Sequence, residues 1–488
     1  MGIKLQFLWS IAPLLVISAV NIISVPLFYR YLGAEMYAIW FYVNTLNGSF
    51  GFADLGLGTA VGRYLGIALG EGNRAALRQY WGTGNLLAIP VVTAMGIVFI
   101  GLGAYFGPKW FHVSPDHINL LRWAFVAGGF GLCVGYYSNF WQVLSQAHFD
   151  FKFVGLWRSV LNVAQVLTCI LLARLTGNPL ILIWVSTLFG LIQMAVLIWH
   201  ANKNYGLALN LGDARMARVR ELFGISNKTL GTILAGSFGG AIDRILLGRL
   251  ASSVVFANYN ICYNFGSRIM GLGASVMGPV FFQTSRAVGK GSREQAAAIF
   301  NETFDFTFGF YTLAALWTIF WHPIFLRLWL GSDLGTRVAP VFTPLVIAFC
   351  LSGIGSLSSA QLIPLNRAGM ELIFSVVRTI LLGLFVLAGW HWGNLIGVAW
   401  GVLASRIAWI AQDLYTIRLV GGGGWLAWRT WRHLLKQCAV GGVFFALSRF
   451  GSPTSCWQTT PAILHGGLVT AWLLRHQLRK FLSGAMVK

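Results

Sequence analysis

Leu69–Tyr80 reads LGEGNRAALRQY, and Val288–Phe300 reads VGKGSREQAAAIF. Each sets an apolar residue, a glycine, a charge and a second glycine ahead of an arginine and an alanine-rich, helix-forming stretch. At a constant offset of 219 residues Ala68 pairs with Ala287, Gly70 with Gly289, Gly72 with Gly291 and Arg74 with Arg293. A small basic phrase written twice in so apolar a chain points to a duplicated unit. What lies between the two copies decides what kind of unit it is.

The chain has 488 residues, 57% of them hydrophobic and only 10% charged, where a soluble domain carries roughly 25% charged residues. Long uncharged runs separate its charges: 25 residues between Lys4 and Arg30, 30 between Arg78 and Lys109, 27 between Arg122 and Asp150. Each exceeds the roughly 18 apolar residues that mark a spanning helix. The chain is therefore expected to be an all-α polytopic membrane protein. The first run is too long for the apolar part of a cleavable signal, lacks an Ala-x-Ala site and ends in PLFYRYLG, so it is kept as the first span. The six cysteines are scattered, mostly in apolar runs and without CxxC spacing, which suits small packing residues.

Charges and Gly/Pro breaks divide the apolar sequence into about fourteen spans. The first two fall at 7–29 and 36–61, the eighth at 252–282, the eleventh and twelfth at 371–392 and 394–418, and the last two at 434–451 and 456–474. With the N-terminus in the cytoplasm, 22 of the 35 lysines and arginines fall on the cytoplasmic side, eight on the outer side and five within spans. The positive-inside rule then puts both termini in the cytoplasm. The net charge of +21 is accounted for by topology and by anionic membrane lipids, not by nucleic acid. The two phrases lie six spans apart, so they face the same side in the same orientation, as expected of a duplicated six-helix unit. The expected domains are an N-terminal lobe at 1–205, a cytoplasmic linker at 206–226, a second lobe at 227–418 and an additional segment at 419–488. That last segment opens with GGGGWLAWRTWRHLLK (Gly421–Lys436), whose tryptophans every third residue and adjacent cations suit an interfacial helix.

A charge at bilayer depth costs roughly 2.5–3.5 kcal/mol on insertion scales, so it calls for a functional reason. Arg268, inside YNFGSRIMGLGASVMGP, lies far from either end of its span. Arg378 lies in span 11, Arg30 closes span 1, and Asp243–Arg244 form an acid–base neighbour pair in span 7. Asp54, in FADLGLGTAVGRY, and Asp305 are the remaining acidic candidates, as ion-pair partners or carriers of a coupling proton. No His, Cys or Asp spacing suggests a metal, and no cofactor is expected. VGKGS (Val288–Ser292) lacks the first glycine of a phosphate-binding loop, since position 284 is Thr, so no ATPase is read here.

VPLFYRYLGAEMYAIWFYVNTLNGSFGFADLGLGTAVGRYLG (Val25–Gly66) and SNKTLGTILAGSFGGAIDRILLGRLASSVVFANYNICYNFGSRI (Ser226–Ile269) resemble the multidrug/oligosaccharidyl-lipid/polysaccharide flippase superfamily, in its polysaccharide-transporter, O-antigen flippase-like branch. The resemblance implies fourteen helices, with two six-helix lobes around a central V-shaped cavity plus a C-terminal helix pair. It implies flipping of a polyprenyl-pyrophosphate-linked oligosaccharide across the cell inner membrane in polysaccharide biosynthesis, with other polysaccharide-assembly proteins as further partners. By position, Arg30, Asp54, Asp243, Arg244 and Arg268 fall on the family's charged positions. Arg268, Arg30, Arg244 and Arg378 are the cavity candidates for the pyrophosphate; Asp54, Asp243 and Asp305 are the coupling or ion-pair candidates. Two other readings fit the same spans: a multidrug exporter of the superfamily, and a non-transporting membrane component of glycan assembly. Short loops speak against a membrane enzyme.

Overall fold

The computed structural model describes residues 3–52, 55–148, 150–207, 211–274, 293–362 and 367–420, with a few single positions besides. The described residues are helical and turn-connected, without strands. In chain order the helices are α1 (Ile3–Ser49), α2 (Leu57–Gly70), α3 (Arg74–Trp110), α4 (Ile118–Ala147), α5 (Phe151–Thr176), α6 (Pro179–Tyr205), α7 (Met216–Gly239), α8 (Ile242–Leu250), α9 (Ser253–Ala274), α10 (Arg293–Leu330), α11 (Ser332–Leu362), α12 (Ala368–Ser405) and α13 (Ile407–Val420). Eight stretches are long and apolar enough to cross a membrane. Leu175, Leu328 and Trp392 each stand more than two-thirds exposed, an outer surface suited to lipid rather than water. The chain is a multi-pass membrane protein.

Two of the long helices are reversals, and each turns where the sequence breaks between spans. In α1 the break is Gly33, at φ 76° and ψ 170°. Phe28 and Trp40 would lie about 18 Å apart along a straight helix, yet their ring centroids are 4.8 Å apart, so the chain folds back on itself. In α12 the break is Gly393–Asn394, with Asn394 at φ 49°. Beyond it Gly397 packs backbone-to-backbone against Gly389, and Gly401 against Phe385. Side chains larger than hydrogen at these glycines would push the two arms apart.

The expected span at 36–61 is not continuous. The second arm of α1 ends at Ser49, a turn follows with Leu55 and Gly56 at positive φ, and α2 begins at Leu57. The turn presses against α7: a Cβ on Gly51 would stand 2.5 Å from Ser237 Oγ, and Phe52 stacks on Phe238 at 5.9 Å. The two repeated phrases lead into matching elements. Arg74 begins α3, of 37 residues, and Arg293 begins α10, of 38. Before α3, Gly72 adopts φ 67° and the Asn73 side chain accepts from the Ala76 amide at 3.0 Å, a helix N-cap.

The helices form two compact units, Met1–Asn258 and Tyr259–Lys488. This division falls within α9, beyond the linker at 206–226 where the sequence reading sets the lobe junction. Contacts of α7 with α2 and α3 place it in the first unit. That unit holds an aromatic core in which Trp81 meets Phe140 at 5.2 Å and Trp141 at 4.8 Å. The second is built on α10 and α11, with α12 and α13 packed against α11. The spans expected at 434–451 and 456–474, and most of the Trp-rich segment before them, lie outside the described residues.

Candidate functional site

In the first unit the candidate charges sit on α1 and α8. Arg30 occupies the last turn before the Gly33 reversal and is exposed. Beside it the Tyr29 hydroxyl donates to Asn258 Oδ1 at 3.4 Å. Asp243 and Arg244 begin α8, just past the Gly239–Gly240 break. Their side chains are 4% and 11% exposed, with Arg244 Nε 3.9 Å from Asp243 Oδ1. The guanidinium also donates to the Gly240 carbonyl at 2.6 Å, and it lies 4.0 Å from where a Cβ on Gly48 would be. The pair is thus turned toward the second arm of α1. Asp54 lies outside the described residues.

In the second unit Arg268 is half-buried on α9, six residues before the helix's described end, and Asp305 is half-buried on α10. Arg378 is set in a polar network. It donates to Glu371 at 2.9 Å, to Ser375 Oγ at 2.7 Å and to Gln412 Oε1, and its guanidinium lies 3.8 Å from the Trp409 ring centroid. Glu371 also accepts from Ser359 Oγ, from Ser375 Oγ at 3.1 Å and from Gln412 Nε2 at 2.6 Å. Next to Gln412, Asp413 accepts from Ser358 Oγ at 2.6 Å. One ion pair with neutral donors on every side thereby ties α11, α12 and α13 together. Arg378, expected in a substrate cavity, has its donors turned to these partners.

The sequence reading did not single out Glu371. Its signal was available: Glu371, Ser375 and Arg378 stand at i, i+4 and i+7, one face of an otherwise apolar helix. A second polar group was equally unremarked. His200 Nε2 lies 2.8 Å from Asp150 Oδ2, which also accepts from the Tyr205 hydroxyl at 3.2 Å, and Phe153 stacks on His200 at 3.5 Å. A third ties α7 to α3: Arg218 donates to the Tyr80 hydroxyl at 2.9 Å and to Glu221 at 3.0 Å, and Tyr80 donates to Glu221 at 2.5 Å. Among the described residues, no group of three or more His, Cys, Asp or Glu side chains converges as a metal-ligand set would.

Kinked, glycine-paired spans with arginines set into apolar helices describe a polytopic membrane protein. The chain matches the family model described as "Polysaccharide biosynthesis protein" over residues 6–285, and with more than half of its length matched it belongs to that family. No protein of curated function matches the sequence. Among solved structures it resembles the lipid II flippase MurJ in an inward closed conformation. That match has a TM-score of 0.70 and 13% identity, covering 95% of this chain and 100% of the other. A multidrug resistance MATE family transporter in an inward-facing conformation matches with a TM-score of 0.66 and 14% identity, covering 83% of this chain and 94% of the other. The Vibrio cholerae MATE transporter VcmN in its bent form matches with a TM-score of 0.60 and 16% identity, covering 85% of this chain and 96% of the other. At these identities the likeness is one of fold. The folds it shares are those of these transporters and this flippase.

Proposed function

We propose that the protein flips a polyprenyl-pyrophosphate-linked oligosaccharide from the cytoplasmic to the outer leaflet of the inner membrane, by alternating access, in the assembly of a surface polysaccharide. The observation that carries this reading is the family match, joined to a fold shared end to end with a lipid II flippase. The charges suit the cargo. A lipid pyrophosphate is a polyanion, and a guanidinium offers it both charge and paired donors in a low-dielectric setting.

Arg268, with Arg30 and Arg244, is proposed to take the pyrophosphate. The lobes at 1–205 and 227–418, joined by the linker at 206–226, would expose these cations to one face at a time. Asp54, Asp243 and Asp305 are the proposed coupling or pairing acids. Both termini would be cytoplasmic, as the lysine and arginine count requires. The shared MATE fold supports a second reading, export of drug cations, but such cargo favours intramembrane carboxylates, and arginines dominate the deep charges of this chain.

The test is the leaflet distribution of lipid-linked glycan in cells lacking the protein. Completed precursor accumulating on the cytoplasmic leaflet supports flipping. Precursor distributed as in the parent, together with drug sensitivity, would replace the proposal with the multidrug reading, and absent precursor would point to a component of glycan assembly.

A further inference from the structure

We propose that the first unit carries a phospholipid site. It is a groove that holds one acyl chain of an anionic phospholipid, with Lys109 and Arg249 on the headgroup phosphate. The groove has a volume of about 390 Å³ and is walled by Leu46 of α1, Leu102, Phe106 and Trp110 of α3, Phe111 just past it, and Ile245 of α8. Leu102, Phe106 and Trp110 are 43%, 52% and 41% exposed, so the wall stands open to the surroundings of an apolar helix, which are lipid. Gly103 and Gly107 form its floor, each so close to Phe125 that a Cβ there would strike the ring. The groove owes its depth to these two missing side chains.

One end of the groove is marked by charge. The Trp110 indole donates to the Ile245 carbonyl at 2.9 Å, which fixes the end of α3 level with α8. Lys109 precedes Trp110, with its Nζ 3.9 Å from the Tyr105 ring centroid. Arg249 follows Ile245 by four residues, hence on the same helix face, and is exposed. Among the described residues neither cation forms an ion pair. By the charge count both lie on the outer side, and exposed Tyr105 and Trp110 are the residue types that gather at a membrane–water boundary. An apolar slot ending at two uncommitted cations and an aromatic pair has the polarity profile of a phospholipid. Its wall on α3 runs from Leu102 to Trp110, about 12 Å along the helix, and it is assigned to an acyl chain of a bilayer phospholipid.

The experiment titrates the purified full-length protein with dioleoylphosphatidylglycerol, and separately with dioleoylphosphatidylethanolamine, and counts bound lipid by native mass spectrometry. One cation near an anionic lipid contributes ~1 kcal/mol, about fivefold in affinity. Lys109→Gln with Arg249→Gln should therefore weaken phosphatidylglycerol about thirtyfold and leave the zwitterionic lipid unchanged. Arg174→Gln, an exposed outer-side cation elsewhere, should change neither. Leu102→Trp, which fills the groove from an exposed position, should remove the tight phosphatidylglycerol with both cations intact. If that variant does not fold, Phe106→Ser, which makes the wall polar, is read in the same way. Unchanged phosphatidylglycerol affinity in the double variant, unchanged binding in the filled groove, or displacement of the phospholipid by polyprenyl phosphate would each overturn the proposal.

Discussion

Replacing Arg378 with alanine should destabilise the second unit rather than merely disable transport. The side chain is 13% exposed and pairs with a Glu371 side chain that is 5% exposed. Removing one partner of a buried pair costs about 3–5 kcal/mol, because the other charge stays behind uncompensated. Here Glu371 would keep three neutral donors, Ser359, Ser375 and Gln412, so the loss belongs at the low end, about 3 kcal/mol. On the scale of soluble domains of this size that is roughly 6–12 °C in the unfolding midpoint. Intrinsic tryptophan fluorescence during heating in detergent measures it, and the amount of protein in membranes gives an independent check. Arg378→Met with Glu371→Gln removes both charges and should recover most of the loss, since an apolar replacement of a buried pair is often neutral. Arg378→Lys should fall between, because an ammonium keeps the Glu371 contact but loses the planar fork that reaches Gln412 and stacks on Trp409. An alanine variant that melts like the parent and accumulates normally, yet fails to transport, would refute this reasoning and return Arg378 to the substrate path.

Arg268→Ala should abolish transport while the protein still accumulates, and Arg268→Lys should recover part of it; leaflet-resolved lipid-linked glycan is the measurement, and normal transport in the alanine variant removes Arg268 from the site. Gly33→Ala should cost about 1–3 kcal/mol, since φ 76° with ψ 170° is nearly exclusive to glycine and no atom lies within 4 Å of the new Cβ; an unshifted melting curve would deny the strain. Cysteines placed at Asn73 and Ser292 should both resist an impermeant thiol reagent applied to intact cells, and labelling of either breaks the shared orientation of the two phrases. His200→Leu should cost about 1–3 kcal/mol by withdrawing a buried partner from Asp150, whereas His200→Gln, still able to donate, should cost less; equal melting of the two would dismiss the hydrogen bond as the cause.

Span limits were legible where an uncharged run was too long for one crossing and held a residue able to turn. Gly33 lies between the expected spans at 7–29 and 36–61, and Gly393 between those at 371–392 and 394–418. The break at 50–56 was not legible, because FGFADLG is as apolar as its flanks. What fixes it is Gly51 against Ser237, 186 residues away in sequence. The site follows the same division. Arg378 could be found as a charge in an apolar helix, and its i−7 partner Glu371 was within reach of helical periodicity. Gln412, 34 residues on and in another helix, was not, so the arginine was assigned to an open cavity instead of to a closed network.

Each unit carries a carboxylate clasp between consecutive helices. In the first, Asp150 caps the start of α5 and is held by His200, near the end of α6. In the second, Glu371, in the first turn of α12, is held by Gln412 of α13, the last described helix. Each unit thus fastens the start of one late helix to the helix that follows by a carboxylate and a ring or amide nitrogen, with Glu371 buried and Asp150 partly exposed. Yet the residues do not correspond at the offset of 219 that aligns the two phrases: Glu371 meets Lys152, and Arg378 meets Ser159. A carboxylate in a low-dielectric core must have donors, but nothing in that requirement specifies which side chain supplies them. The same requirement can therefore be met by different side chains, whereas the loop before α3 needs a glycine at Gly72, with its φ of 67°. Arg378, whose Nη1 and Nη2 donate to Gln412, Glu371 and Ser375, meets that same requirement from the cationic side.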